Sequence, residues 1–242
     1  MARREAARPA TVSQTTAQTA NTDISKMPAR LALLGMSFAA ALTLLLFAWL
    51  TRSIAARVAL PFDIGAGEAL HGFASPALDA FAGAITFLGL IPVLAVAVVA
   101  VAVPLWRRGR RREVALLVVA LVGAVALNYA LKAVFDRPRP ALPWAHTDRT
   151  SAFPSGHAMD SIAAYLGIAG VIGAAWGARA GRIAFAVAVP LVLLIGLSRV
   201  YLGLHYVSDV IGGYLAGLCW LCGVFVAFEG RRHRARLRPK TN

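Results

Sequence analysis

The sequence predicts an all-α, polytopic membrane protein built as a bundle of six transmembrane helices, and three observations carry that expectation. Apolar residues make up 59% of the chain and charged ones only 15%, against roughly half and a quarter in soluble domains. Mean hydropathy is +0.67. The charges are gathered into short runs between uncharged stretches close to the ~20 residues that cross a bilayer as a helix.

Taken in order, residues 1–29 are rich in Ala, Thr, Ser and Gln without an apolar period and read as a disordered cytoplasmic arm. The six expected spans are 31–50, 84–105, 114–131, 158–176, 183–197 and 210–228, within one membrane domain over 30–229. The first begins too far in and runs too long for a cleaved leader, so it reads as retained. Between it and the second span, Leu70, Phe73, Ala74, Ala77, Leu78 and Phe81 follow helical spacing opposite Glu68, His71, Ser75 and Asp79. That pattern predicts a segment lying on the outer membrane surface, interrupted at Pro76. Pro92 and Pro190 fall inside spans, where neighbouring helices can satisfy the freed carbonyls. The fifth span is short unless it extends toward Leu204 with Arg199 facing protein or water. Residues 230–242 form a basic cytoplasmic tail.

The net charge of +14 raises nucleic-acid binding, but the placement of the charges argues against it. With both termini cytoplasmic, 18 of the 25 Lys and Arg fall on the cytoplasmic side, in the N-terminal arm, in Arg107–Arg112, at Arg179 and Arg182, and in the tail. This is the positive-inside pattern, and no stacking aromatics accompany the arginines. Trp144 and Trp176 suit interface anchoring. Cys219 and Cys222 sit three positions apart, as C-x-x-C, in the last apolar run and read as packing residues rather than a redox pair.

Three polar phrases stand out because charged groups near a bilayer are costly unless they act together. They are Lys132…Arg139-Pro140, Phe153-Pro154-Ser155-Gly156-His157, and Ser198-Arg199…His205…Asp209. All three fall at span ends on the extracytoplasmic side, so they can surround one anion. Lys132, Arg139 and Arg199 supply cations for phosphoryl oxygens, Arg as a planar fork and Lys as a point charge. Ser155 and the backbone at Gly156 can add hydrogen bonds at close approach. His205 and Asp209 are four apart and share a helix face, which suits a nucleophile held by a carboxylate. His157 has no such partner except Asp160, and suits the task of protonating a leaving oxygen.

Together the blocks Lys132-x6-Arg139-Pro140, Pro154-Ser155-Gly156-His157 and Ser198-Arg199-x5-His205-x3-Asp209 resemble the tripartite signature of the type 2 phosphatidic acid phosphatase (PAP2) superfamily, in its bacterial membrane branch. The resemblance covers roughly residues 60–228. It implies a PAP2-like six-helix fold and a phosphohistidine mechanism: phosphate bound by Lys132, Arg139 and Arg199 with Ser155 and Gly156, attack by His205 oriented by Asp209, and leaving-group protonation by His157. It implies no metal or other cofactor. The implied partner is a lipid phosphate in the bilayer: phosphatidic acid, phosphatidylglycerol phosphate or an undecaprenyl diphosphate.

Other readings remain beside it. Lys132 and Arg139 could simply flank a span, and Arg137 between them reads the same way, or as a secondary phosphate contact. His157, His205, Asp209, His146 and Asp148 could be metal ligands, but the neighbouring cations would repel a metal ion. His146, Asp148, His71 and Glu68 read as solvated. A phosphotransferase of the same fold and a non-catalytic lipid-binding protein stay open.

Overall fold

The computed structural model describes residues 27–55, 59–145 and 150–237, with side chains between 30 and 230. All regular structure among the described residues is helical. Helix α1 spans Met27–Ala55, α2 Pro61–His71, α3 Pro76–Phe87, α4 Ile91–Arg107 and α5 Arg111–Phe135. Helix α6, Gly156–Ser161, passes through a π-helical turn at Ile162–Leu166 into α7, Gly167–Trp176. Then come α8, Ala178–Tyr201, and α9, Val207–Leu237. His146 and Asp148 lie outside the described residues, as does the arm before Met27.

Prolines start helices here. Pro61, Pro76 and Pro92 each sit in the first turn of α2, α3 and α4, where a missing N–H costs nothing. Ser75 adds a cap to α3, its Oγ accepting the Leu78 N–H at 3.3 Å. The surface segment expected around Pro76 is therefore two helices. Its apolar residues Leu70, Phe73, Leu78 and Phe81 line a groove against Leu194, Leu197 and Tyr201 of α8.

Among the described residues, five helices are long and apolar enough to cross a membrane, and α3 with α4 makes a sixth if the pair counts as one span, bent by 56°. This corrects the expectation of a continuous span over 84–105. Proline at 92 cannot donate to the carbonyl four residues back, that of Leu88. The Tyr165 hydroxyl of the π-helical turn takes that carbonyl instead, at 2.8 Å. The fifth expected span does extend, through Arg199 to Tyr201. The last helix runs on through Leu237, into the stretch expected to be tail.

The continuous helix Gly156–Trp176 is the most enclosed span, with 56% of its apolar window buried, and α1 lies outside it against α9. Close approach of α9 to α6 depends on two glycines. A Cβ at Gly213 would sit 2.5 Å from the Ser155 carbonyl oxygen, and one at Gly217 2.8 Å from that of Met159. Such small-residue contacts let helices pack tightly where water supplies no hydrophobic drive. The outer faces carry Leu34, Phe38 and Leu45 on α1, Val96 on α4 and Val122 on α5, all exposed. Hydrocarbon accommodates that apolar surface; water would not.

Candidate active site

The two ends of the bundle differ in kind. At one end the Arg-rich turn meets the α7–α8 junction: Arg110 donates to the Ala174 carbonyl at 3.0 Å, and Arg108 lies 5.3 Å over the Trp176 ring. Arg112 reaches Glu229 of α9 at 3.7 Å. At the other end, the last turn of α5, the start of α6, the end of α8 and the turn before α9 converge on one cavity of about 320 Å³.

Lys132, Arg139, Gly156, His157, Arg199 and His205 all line that cavity. Residues separated by more than 70 positions thus share one wall, as the three phrases required. Hydroxyl and carbonyl oxygens help to position each cation. Arg139 donates to the Thr150 carbonyl and hydroxyl at 3.0 and 2.8 Å and to the Leu204 carbonyl at 2.8 Å. Arg199 donates to the Thr86 hydroxyl at 3.0 Å, and Lys132 to the Ser151 carbonyl. These bonds hold the three cationic groups at the cavity wall, where an anion could meet them. The first-turn amides of α6 have no intrahelical acceptors and stand at the same wall, beside Gly156 and His157.

The bend between α3 and α4 supports His157. A Cβ at Gly89 would fall 2.7 Å from His157 Cδ2 and 2.7 Å from Ile195, so the bend seats the imidazole against glycine. Its Nε2 is buried without a hydrogen-bond partner.

His205 is buried in the turn before α9, which needs Gly203 at φ +69°, a left-handed conformation. Burial lowers its pKa well below the ordinary histidine value, and the charges of Arg199, Arg139 and Lys132 push the same way. These surroundings favour the neutral form of the imidazole. Asp209 stands behind it, Oδ2 lying 3.6 Å from Nδ1. That is longer than a hydrogen bond, and Oδ2 accepts the Tyr206 N–H at 2.8 Å. Catalytic hydrogen bonds commonly tighten only around the reacting group.

Two expected site residues lie off the cavity wall. Ser155 is buried, its N–H donating to the Asp209 carbonyl at 2.9 Å while its Oγ has no partner. Asp209 is also fully buried. Arg137 requires a correction. It is neither a flanking residue nor a phosphate contact: it is 4% exposed, and it donates to Asp63 at 3.0 Å, to Ser208 at 2.8 Å and to Asp209. Asp63 in turn accepts from the Ser208 amide at 2.9 Å and hydroxyl at 2.6 Å. Sequence reading missed Asp63, Arg137 and Ser208 as a buried brace behind His205 and Asp209. The one hint was an aspartate, Asp63, in a largely apolar stretch. His71 is likewise no solvated residue; it stacks on Trp144 with centroids 4.0 Å apart. Among the described residues, no three His, Cys, Asp or Glu side chains are grouped to hold a metal ion.

A model of the PAP2 superfamily matches residues 113–233, half of the chain. Phosphatidylglycerophosphatase B of Bacillus subtilis (strain 168) is 37% identical over 95 residues, which are 38% of this chain and 46% of that protein. The match thus spans less than half of that relative's length. Among solved structures, the fold is similar to a transmembrane PAP2-type phosphatidylglycerolphosphate phosphatase from Bacillus subtilis, with a TM-score of 0.73 at 24% identity, covering 84% of this chain and 99% of that one. LpxE from Aquifex aeolicus gives a TM-score of 0.52 at 26% identity, covering 69% of this chain and 96% of the other.

Proposed function

Because the chain belongs to the PAP2 superfamily, we propose that it is a multi-pass membrane lipid phosphatase that cleaves a terminal phosphate through a phosphohistidine. The observation that carries this reading is the cavity wall, where three cations and two imidazoles face one another. Its remaining lining includes Leu90, Ile91, Pro92 and Tyr129, and Leu90, Ile91 and Tyr129 are exposed on the side of the bundle. An apolar rim beside a cationic floor suits a phosphate that arrives on a lipid.

The chemistry follows from the placement. Lys132, Arg139 and Arg199 gather the phosphoryl oxygens and match their charge as it redistributes. The neutral His205 lends its lone pair to phosphorus, while the bond from phosphorus to the leaving oxygen breaks. His157 delivers a proton to that oxygen, so the lipid departs as an alcohol. Asp209, facing the other ring nitrogen, stabilises the cationic phosphohistidine. Water then attacks phosphorus, with His157 taking its proton, and inorganic phosphate and free His205 result. The positive-inside pattern supports an orientation with the arginine-rich end in the cytoplasm and the cavity on the extracytoplasmic side.

Of the candidate lipids, phosphatidylglycerol phosphate is favoured by the likeness to phosphatidylglycerophosphatase B. The test is release of inorganic phosphate by the detergent-purified protein from phosphatidylglycerol phosphate, phosphatidic acid and undecaprenyl diphosphate. His205→Ala should abolish release from every substrate without unfolding the bundle. Turnover surviving that substitution contradicts the assignment.

A further inference from the structure

One carboxylate sits where an anion-binding cavity should not tolerate it. Asp160 lines the same cavity as Lys132, Arg139 and Arg199, is 4% exposed, and has its Oδ1 buried without a hydrogen-bond partner. An unmet buried carboxylate oxygen is expensive. A carboxylate among phosphate-binding cations also repels the phosphate they bind. Neither cost is needed for dephosphorylation itself, so the position calls for a different partner.

The surroundings say what kind of partner. Asn128 is 4% exposed and lines the cavity beside Asp160. Its amide nitrogen is committed to the Pro154 carbonyl at 3.3 Å and the Met159 sulfur at 3.7 Å. Its Oδ1 and the Asp160 Oδ2 both face Gly156, where a Cβ would come within 3.0 and 3.7 Å of them. Two acceptors are thus presented side by side in a cavity otherwise rich in donors. Such a pair binds a hydrogen-bond donor that carries no negative charge.

Its place along the helix says which part of the substrate it meets. Asp160 is three residues after His157 on α6, hence on the same helix face. His157 protonates the leaving oxygen in the reading above, so Asp160 lies on the leaving-group side of the phosphorus. Among the candidate lipids, only phosphatidylglycerol phosphate carries a hydroxyl on the carbon next to the phosphate ester. Phosphatidic acid releases a diacylglycerol with no free hydroxyl there. A diphosphate would place a second anion against the carboxylate.

We propose that Asp160, with Asn128, is a hydroxyl-recognition subsite that selects phosphate esters whose leaving group carries a neighbouring hydroxyl, as in a glycerol headgroup. This rests on the phosphatase reading and deepens it: the cations hold the phosphate, and Asp160 reads the alcohol.

The experiment compares phosphatidylglycerol phosphate with its deoxy analogue, in which the headgroup glycerol is replaced by propanediol. Wild-type enzyme should lose about ten- to a hundredfold in kcat/KM on the analogue, the scale of one hydrogen bond to a charged group. Asp160→Ala should bring the ratio of kcat/KM for the two lipids close to one, whatever its overall rate. Asp160→Asn, which keeps an acceptor but not the charge, should restore part of the preference. Equal wild-type rates on the two lipids overturn the subsite, and that comparison needs no variant to fold. A preference that persists in Asp160→Ala also overturns it. Absence of phosphate release from every lipid by wild-type protein is a separate result: it brings down the phosphatase reading, and the subsite with it.

Discussion

Arg137 and Arg139 are two residues apart in one loop, and they do opposite work. Arg139 is half-buried on the cavity wall, held by a hydroxyl and two backbone carbonyls. Arg137 points behind the wall into a sealed network, where Asp63 and Asp209 take its charge and the Tyr206 ring lies 4.5 Å beneath it. Location separates the two. A guanidinium on the cavity wall lies within reach of an incoming anion, whereas one clamped between buried carboxylates has spent its charge on the fold. The clamped arginine ties α2, through Asp63, to the turn and first residues of α9. It thereby fixes the carboxylate that faces His205.

The comparison can be broken from either side. The largest effect belongs to Arg137→Ala, which leaves Asp63 and Asp209 buried without their cation. Stripping one partner from such a network costs about 3–5 kcal/mol, so a thermal melt of the purified variant should show a severe loss of stability. A variant as stable as wild type would mean that the brace carries no structural weight. Asp63→Asn removes one charge but keeps an acceptor, and should cost less, about 1–3 kcal/mol. Arg139→Ala should leave the melt within about 0.5–1 kcal/mol of wild type and instead raise KM for the lipid phosphate about ten- to a hundredfold, in keeping with one lost charged hydrogen-bonding partner. If Arg139→Ala unfolds the protein while Arg137→Ala only weakens substrate binding, the two roles have been exchanged.

A smaller effect concerns pH. Burial and the three cations hold the His205 pKa below its ordinary value of 6.5, so a His205 that attacks phosphorus as proposed stays neutral as pH falls through that value. The rate of phosphoenzyme formation should therefore show no acid limb from His205 near 6.5, only at lower pH. The same depression makes the stability that neutral His205 contributes begin to fall below about pH 6.5, because the unfolded chain takes up the proton first. Replacing Arg199 with Gln removes one of the depressing charges and should move the acid limb upward.

Much of this molecule is legible in its sequence, and what is not has physical reasons. Uncharged runs of spanning length gave the helices, since the bilayer fixes length and polarity together. Lys132, Arg139, Gly156, His157, Arg199 and His205 were legible because cations and imidazoles at span ends have few other uses. The break at Leu88–Leu90 was not: Pro92 alone cannot say whether a helix bends, because that depends on Tyr165, over 70 residues away, capturing the freed carbonyl. Arg137 was misread for the same reason, its partner Asp63 lying 74 residues upstream in a stretch that looked superficial. Asp160 was noticed only as a neighbour of His157. Its significance needs the knowledge that Asn128 Oδ1 and Asp160 Oδ2 both lie against Gly156.

The most direct measurement is the identity of the phosphorylated residue during turnover. Enzyme quenched with labelled lipid phosphate should carry an acid-labile, alkali-stable phosphoryl group on His205, absent in His205→Ala and accumulating when His157 is replaced on a substrate with a good leaving group. Phosphate on His157 or on any other side chain, or turnover with no phosphoenzyme at any quench time, would contradict the account.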